Sequence, residues 1–302
     1  MQDILKSNTP AFVFDTAALK KRVAQIKEIV GETVSLCYSM KANPFFVPAM
    51  ITCVDKLEVC SPGELTICKK LGVDASRIIY SGVNKEIPDI KEAYEYGVGT
   101  FTAESVRQAD LIQQVVETAA AGEKAEVILR LNSGSQFGMS KEDLLTILQC
   151  RESKYTSLNF TGIHYFVGTQ RKRAKRKIKE LQMLLELFEE IQNKCGLKLK
   201  KLEYGPGFAV PYFEDDDFED TLYPVKELKD TLKQVAQQVD LTIEMGRFFT
   251  AECGTYYTNV ADLKTVGNAH YCILDGGMNH LTYLGQMMGM KTPIIKHHKN
   301  TP

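Results

Sequence analysis

The sequence predicts an α/β fold, a (β/α)8 TIM barrel followed by an incomplete β domain. Three observations carry that expectation. Eight short apolar runs, separated by helical patterns, lie between residues 34 and 244. No glycine-rich G-x-G-x-x-G turn follows the first of them, as a doubly wound sheet would lead one to expect. After Arg247 the pattern changes to alternating residues carrying Tyr and Thr, like β structure of a different domain. The expected division is an N-terminal segment over residues 1–30 (a strand given to the β domain, then a helix), a barrel over 31–248 and a partial β domain over 249–302.

The strand candidates are residues 34–38, 57–60, 78–80, 98–101, 126–131, 160–166, 201–204 and 241–244. They are short and rich in Val, Ile, Leu and Tyr, as parallel strands buried on both faces should be. Ahead of the first strand, Leu19, Val23, Ile26 and Val30 share one helical face. Ser61-Pro62-Gly63-Glu64 reads as a capping box with proline at the first helical position; Leu65, Cys68 and Leu71 follow, and Gly72 ends the helix. Val106, Ala109, Ile112 and Val116 mark another helix, and Ser140 caps one more. Ile178, Leu181, Leu185, Phe188 and Ile191 form a long stripe, and Pro224 opens a helix with Leu228, Leu232, Val235 and Val239. Residues 248–260 and 271–274 are the β candidates beyond the barrel.

Composition narrows the class. The 302 residues are 44% apolar and 25% charged, which sets aside collagen-like, disordered and coiled-coil chains. No run of 18 apolar residues exists, and no basic start precedes an apolar core, so neither a membrane helix nor a signal peptide is expected. The net charge of −1 hides a basic run at 171–177 (RKRAKRK) and an acidic run at 214–220 (EDDDFED). They cancel, and no field to steer nucleic acid results. The eight cysteines form no C-x-x-C pair, which suits a reduced, cytoplasmic protein. The five histidines show no metal-ligand spacing, so no metal is expected.

Barrels of this kind place chemistry at the C-terminal ends of their strands. Lys41 stands at the first such end. Alone it reads first as a surface lysine; in a barrel mouth it can be a Schiff-base nucleophile, with desolvation lowering its pKa. The sixth and seventh strands end in Val167-Gly168-Thr169-Gln170 and Gly205-Pro206-Gly207-Phe208. These are ordinary turns or an anion cradle, since glycines let backbone N–H groups approach a phosphate. Glu244-Met245-Gly246-Arg247 follows the eighth strand as an ion pair or as a carboxylate for a pyridinium nitrogen with an anion-gripping arginine. The three pieces together fit pyridoxal 5′-phosphate, which needs an amine, an anion cradle and a partner for its ring nitrogen.

Seven ordered motifs resemble the fold-type III pyridoxal-phosphate decarboxylases, the diaminopimelate and ornithine decarboxylase family. Tyr38-Ser39-Met40-Lys41-Ala42-Asn43 is similar to the family's cofactor-lysine motif, and Cys60-Ser61-Pro62-Gly63-Glu64 to its second-strand motif. Arg130-Leu131-Asn132 with Gln136-Phe137-Gly138 resembles the fifth strand and its loop. Gly162 to Gln170 resembles G-x-H-x-H-x-G-S-Q, Gly205 to Phe208 resembles G-G-G-F, and Glu244 to Arg247 resembles E-P-G-R. Asp275-Gly276-Gly277-Met278-Asn279 resembles the D-G-G-x-N/H motif of the β domain.

The resemblance implies an alanine-racemase-like barrel and an amino-acid decarboxylase. Lys41 would join the cofactor's aldehyde and serve as the catalytic residue. Glu244 would bond the ring nitrogen. Gly168, Thr169, Gly205, Gly207, Gly246 and Arg247 would surround the phosphate, with Arg247 also reaching substrate. Arg130, His164 and Phe166 complete the cofactor-binding set. The substrate would be diaminopimelate, ornithine, lysine or a carrier-bound amino acid, and a homodimer is implied. Three departures stand out: Phe166 replaces the ring-stacking histidine, Pro206 replaces a central glycine, and nothing after Met290 matches the family's late Cys-x-x-x-Asp/Glu motif and tyrosine. Phe166, with Tyr283-Leu284-Gly285-Gln286, is similar to a branch that includes decarboxylases of antibiotic and siderophore pathways. An inactive cofactor-binding homologue acting through a partner and a racemase of the same fold are the alternatives. The basic run reads as a nuclear-localisation-like or nucleic-acid patch, or, preferred because no aromatic residues interleave it, as a solvated helix start or a grip on an acidic substrate or partner.

Overall fold

The computed structural model describes residues 8–119, 123–213, 216, 218–281 and 294–296. The segment Tyr283–Gln286, the final histidines 297 and 298 and part of the acidic run lie outside the described residues. The chain forms two compact units, Lys20–Ala209 with Leu222–Phe249, and Met1–Leu19 with Val210–Thr221 and Thr250–Pro302.

The strands in chain order are β1 (Ala11–Phe14), β2 (Ser35–Ser39), β3 (Lys56–Val59), β4 (Ile78–Tyr80), β5 (Thr100–Ala103), β6 (Ala125–Arg130), β7 (Leu158–Phe166), β8 (Lys201–Gly205) and β9 (Asp240–Met245), then β10 (Gly254–Tyr257), β11 (Val260–Val266) and β12 (Ala269–Leu274). In the first unit β2 to β9 close a parallel barrel in sequence order, and β9 pairs back with β2. Cys37, Ile79 and Ile128, from the alternate strands β2, β4 and β6, pack together in its interior. Such layering is how a barrel of this size fills its centre with side chains.

The eight strand candidates coincide with the barrel strands, and one is displaced. Residues 98 and 99 complete a turn, and the strand starts at Thr100. Gly97 ends the preceding helix at φ +87°, and a Cβ on Gly99 would lie 2.1 Å from the Ser76 carbonyl oxygen. That preceding helix, Ile87–Tyr96, is not among the helices read from the sequence; it buries Ile90 and Ala93. Its start is nonetheless signalled: Pro88 follows Glu86, and the Asp89 carboxylate accepts from the Glu86 N–H at 3.2 Å.

The expected capping box at Ser61 forms only in part. The Ser61 hydroxyl accepts from the Glu64 N–H at 3.3 Å, but the Glu64 carboxylate accepts from the Cys60 N–H at 2.7 Å, one residue earlier than a capping box requires. Leu71 is 40% exposed, so the helical stripe ends at Cys68. In the long helix Ala174–Cys195, Leu184 and Leu187 are buried beside Leu181, Phe188 and Ile191, while Ile178 and Leu185 lie at its margin.

The expected strand from residue 248 begins later. Arg247–Thr250 is a helical turn with Phe248 and Phe249 both buried, a pattern that a strand facing water on one side could not give. The Arg22 Nε donates to the Phe248 carbonyl at 2.8 Å, and the guanidinium lies 4.8 Å from the Phe248 ring centre.

In the second unit β1 pairs antiparallel with β10, and β11 with β12 around Gly267 at φ +61°. Every residue of β11 and β12 is exposed. Asp275 accepts hydrogen bonds from Thr258 at 2.7 Å, the Asn259 N–H at 2.9 Å and Thr9 at 2.5 Å. Gly276 lets the Tyr256 hydroxyl approach closely, since a Cβ there would sit 1.8 Å from it. No helix among the described residues is long and apolar enough to cross a membrane.

Candidate active site

The C-terminal ends of the barrel strands converge as the fold class requires. β2 runs directly into a 3-10 turn, Met40–Ala42, which lifts Lys41 into the mouth with its side chain 48% exposed. The Tyr38 hydroxyl donates to the Asn43 carbonyl at 2.7 Å and ties that turn back to the strand. Lys41 Nζ lies 2.9 Å from Glu58 Oε2, 3.7 Å from Glu244 Oε1 and 3.7 Å from Cys60 Sγ. The Ser39 hydroxyl sits between the Glu58 and Glu244 carboxylates, 2.5 Å from Glu58 Oε2 and bonded to Glu244 Oε1.

Glu244 faces His164 on the other side, with Nε2 and Oε2 3.0 Å apart. His164 is 1% exposed, and its strand register places it beside Arg130 on β6 and Glu203 on β8. His164 Nδ1 and both Glu203 carboxylate oxygens are buried with no hydrogen-bond partner among the described residues.

The charges follow from these neighbours. Burial favours the neutral form of Lys41, but the Glu58 and Glu244 carboxylates outweigh it and raise the amine's pKa. The sequence expectation that desolvation lowers that pKa is therefore reversed: two carboxylates face the amine, and neither was assigned to it from the sequence. Burial also disfavours a charged Glu244, yet Lys41, His164 and Ser39 hold its carboxyl below the usual range. His164 moves upward: burial opposes its charge, and the hydrogen bond to Glu244 and the Glu203 carboxyl prevail. Glu203 is pushed up to about 7, chiefly by burial, with His164 pulling the other way.

Three glycine loops border the same mouth. Gly168 and Gly207 have φ of +146° and +59°, and a Cβ on Gly207 would lie 1.8 Å from the Gly168 carbonyl oxygen. Only a backbone bare of side chains allows the β7 and β8 loops to approach so closely. A Cβ on Gly205 would meet the Phe166 ring at 2.4 Å, and one on Gly246 would lie 2.6 Å from the Ala42 Cβ. Arg247 Nη1 donates to the Thr169 hydroxyl at 3.3 Å, joining the β9 and β7 loops.

Of the residues singled out in the sequence, Lys41, His164 and Glu244 form one cluster. Gly168, Thr169, Gly205, Gly207, Gly246 and Arg247 form the loops around it, and the Phe166 ring lies over Gly205. Arg130, beside His164 in the strand register, pairs with an acid outside that cluster: its Nη1 lies 2.5 Å from Glu104 Oε1, and its guanidinium is 5.0 Å from the Phe137 ring centre. Sequence reasoning passed over Ser39, Glu58, Glu104 and Glu203. The one available signal was a carboxylate inside an otherwise apolar strand, as in Lys56-Leu57-Glu58-Val59 and Lys201-Leu202-Glu203-Tyr204.

The arrangement suits pyridoxal phosphate on its own features. A half-exposed amine stands beside a buried, ionised carboxylate, and Gly205, Gly207 and Gly246 leave backbone bare of side chains at the same mouth, where N–H groups can meet an anion.

Comparison with known proteins agrees. Residues 16–251 match the family described as pyridoxal-dependent decarboxylase, pyridoxal binding domain. A diaminopimelate decarboxylase of Aquifex aeolicus is 27% identical over 292 residues, covering 90% of this chain and 67% of that protein. An L-glutamyl–acyl-carrier-protein decarboxylase of Niallia circulans is 27% identical over 310 residues, covering 95% of this chain and 72% of that one. Among solved structures, a protein of Aquifex aeolicus superposes with a TM-score of 0.81 at 26% identity, over 92% of this chain and 68% of that chain. The lysine decarboxylase of Selenomonas ruminantium shares the fold, with a TM-score of 0.84 at 24% identity over 99% of this chain and 79% of that chain. With an early lysine, a buried acid and glycine loops in the family's order and most of the chain matched, this protein belongs to the pyridoxal-dependent decarboxylases and carries their pyridoxal binding domain.

Proposed function

We propose that the barrel mouth holds pyridoxal 5′-phosphate and removes the carboxyl group of a small amino acid, as diaminopimelate decarboxylases do. The observation that carries this reading is the meeting of the Lys41 amine and the buried Glu244 carboxylate, 3.7 Å apart, at the mouth framed by Gly168 and Gly207. Lys41 would hold the cofactor's aldehyde and Glu244 its ring nitrogen. Gly168, Thr169, Gly205, Gly207, Gly246 and Arg247 would surround the phosphate. Phe166 offers an apolar face to the ring, and His164 supports Glu244 from behind. The cofactor supplies an electron sink for the bond that breaks.

The chain's own groups manage the protons. Glu244, kept ionised by Lys41, His164 and Ser39, can hold a proton on a facing nitrogen. Glu58, 2.9 Å from the Lys41 amine, orients that amine and can exchange a proton with it. Pro206 has no N–H, so the β8 turn has one anion donor fewer than a glycine there would provide.

The test adds cofactor to purified chain and follows the visible absorption band and carbon dioxide release with meso-diaminopimelate, ornithine and lysine. Both signals should disappear in Lys41→Ala. A band that survives that change would sink the assignment of Lys41.

A second reading concerns the substrate. Phe166 in place of a ring-stacking histidine, and similarity to a decarboxylase of a carrier-bound L-glutamyl group, favour an aminoacyl group delivered on a carrier protein. We further infer that two copies of the chain associate. Leu263, Val266, Tyr271 and Ile273 of the β11–β12 hairpin are 73%, 62%, 48% and 42% exposed, which leaves apolar surface for association. The eight cysteines are all free thiols, in keeping with a reducing cytoplasm.

A further inference from the structure

The basic run is not the uniformly solvated helix start that its composition suggests. Lys177 is 2% exposed; its Nζ donates to the Arg171 carbonyl at 2.7 Å and lies 5.6 Å from the Phe208 ring centre. Burial, and next the Arg171 charge, pull its pKa down to about 8. Arg171 forms a two-pronged pair with Glu180, which also accepts from the Tyr204 hydroxyl at 2.8 Å. The Arg171 N–H donates to the Gly207 carbonyl at 2.9 Å, so these two cations lock the β7 and β8 loops together.

The remaining cations of the segment face outward. Arg173, Lys175, Arg176 and Lys179 are exposed and form no ion pair among the described residues. Arg173 is also the N-cap of the helix Ala174–Cys195, with no side-chain capping bond and no acidic residue in the first turn. Positive side chains at the positive end of a helix dipole repel it and one another. No acidic residue in the first turn relieves that repulsion. Arg173 and Arg176, with Gln170, Arg171 and Lys172, line a depression of about 400 Å³. Gln170 turns the chain into it at φ +56°, and is the only non-glycine residue at positive φ among those described. It directly follows Thr169 at the rim of the candidate active site.

From this we propose that the outward face of residues 173–179 docks an acidic protein that presents the amino-acid substrate to the barrel mouth. The proposal rests on the carrier-bound reading above. At 1.5 Å per helical residue the cations span about 9 Å, more than one phosphate or carboxylate can bridge, so an extended acidic surface fits better than a small anion. Nucleic acid is the poorer match, since no aromatic side chain interleaves the run to stack on bases and the net charge of the chain is −1. Side-chain charges at such a rim act mainly on encounter rate and salt dependence.

The experiment uses the full chain loaded with cofactor and an acidic acyl-carrier protein charged with L-glutamate. Binding and decarboxylation are measured at low and moderate salt for the wild type, for Arg173→Glu/Arg176→Glu, and for Lys198→Glu/Lys200→Glu at the opposite end of the barrel. The expected result is a rise in KM of tenfold or more for the first variant, with kcat and the cofactor absorption band kept and the salt dependence flattened, while the second variant behaves as wild type. Equal KM in the wild type and Arg173→Glu/Arg176→Glu overturns the docking site and leaves carrier-bound turnover standing. Absence of both binding and turnover in the wild type overturns docking and the carrier-bound reading together, and leaves decarboxylation of a free amino acid to be judged on its own assay.

Discussion

Glu203 offers a direct measurement of how the barrel interior manages charge. Its carboxylate is 3% exposed as a residue, both oxygens are unpartnered among the described residues, and its pKa is pushed from the ordinary 4.5 to about 7. An acid whose folded-state pKa is raised binds its proton more tightly when folded. Its contribution to stability is complete at pH values below the unfolded pKa and is lost as pH rises through the folded one. The displacement corresponds to about 3 kcal/mol, at roughly 1.4 kcal/mol for each tenfold change in proton affinity. Glu203→Gln keeps the shape and cannot ionise. Near pH 4 it should match the wild type apart from a fixed offset for the buried amide. Near pH 8.5 it should gain about 3 kcal/mol relative to that offset, or on the order of 5 °C in Tm. Thermal unfolding of both proteins across that range is the assay. A difference between them that stays constant with pH would refute the claim that Glu203 is carried as the neutral acid.

Three further outcomes test the site. Gly207→Ala places a methyl group against the Gly168 carbonyl in a left-handed backbone, so cofactor retention should fall tenfold or more in equilibrium dialysis. Arg130→Met strands the buried Glu104 carboxylate and should cost about 3–5 kcal/mol in denaturant unfolding, with Arg130→Met/Glu104→Leu recovering most of it. His164→Ala removes the donor to Glu244 Oε2 and one positive charge facing Glu203; both carboxyl pKa values should rise, and cofactor binding should weaken as pH falls, measured from the absorption band.

The barrel was legible because each of its strands is a short apolar run, and the strand ends were legible because chemistry-bearing residues cluster there. Glu58 and Glu203 were hidden for the same physical reason that made their strands easy to find. In a parallel strand buried on both faces the sequence does not alternate between apolar and polar, so it does not mark which residues point inward. Lys177 shows the converse. Six cations in seven residues look equivalent on paper, but one helical turn carries Lys177 inward against Phe208 while Arg173 and Arg176 remain at the surface. The amine of Lys41 was misjudged in direction because its environment is set by Glu58 across a strand pair, which becomes visible only once β2 and β3 are registered, Ser39 against Glu58.

That register also decides which carboxylate can serve the cofactor. Three acids, Glu58, Glu203 and Glu244, influence one another inside the barrel, and the cations nearest them are Lys41 and His164. In a medium where charges interact strongly, the acid with the most favourable contacts ionises first. Glu244 has three: Lys41, His164 and the Ser39 hydroxyl. Glu203 has no hydrogen bond among the described residues to offset its burial, so its pKa is pushed up to about 7, and below that pH its neutral form spares Glu244 a further repulsion across the β8–β9 pair. Glu58 holds the amine from the other side at 2.9 Å, leaving Lys41 at the mouth instead of folded onto Glu244. The division of charge is thus a property of strand order: β3, β7, β8 and β9 each contribute one titratable member, β2 contributes Ser39, and the turn after β2 contributes Lys41. Exchanging Glu58 or Glu244 for glutamine should therefore lower the pKa of Glu203, which both carboxylates help to raise.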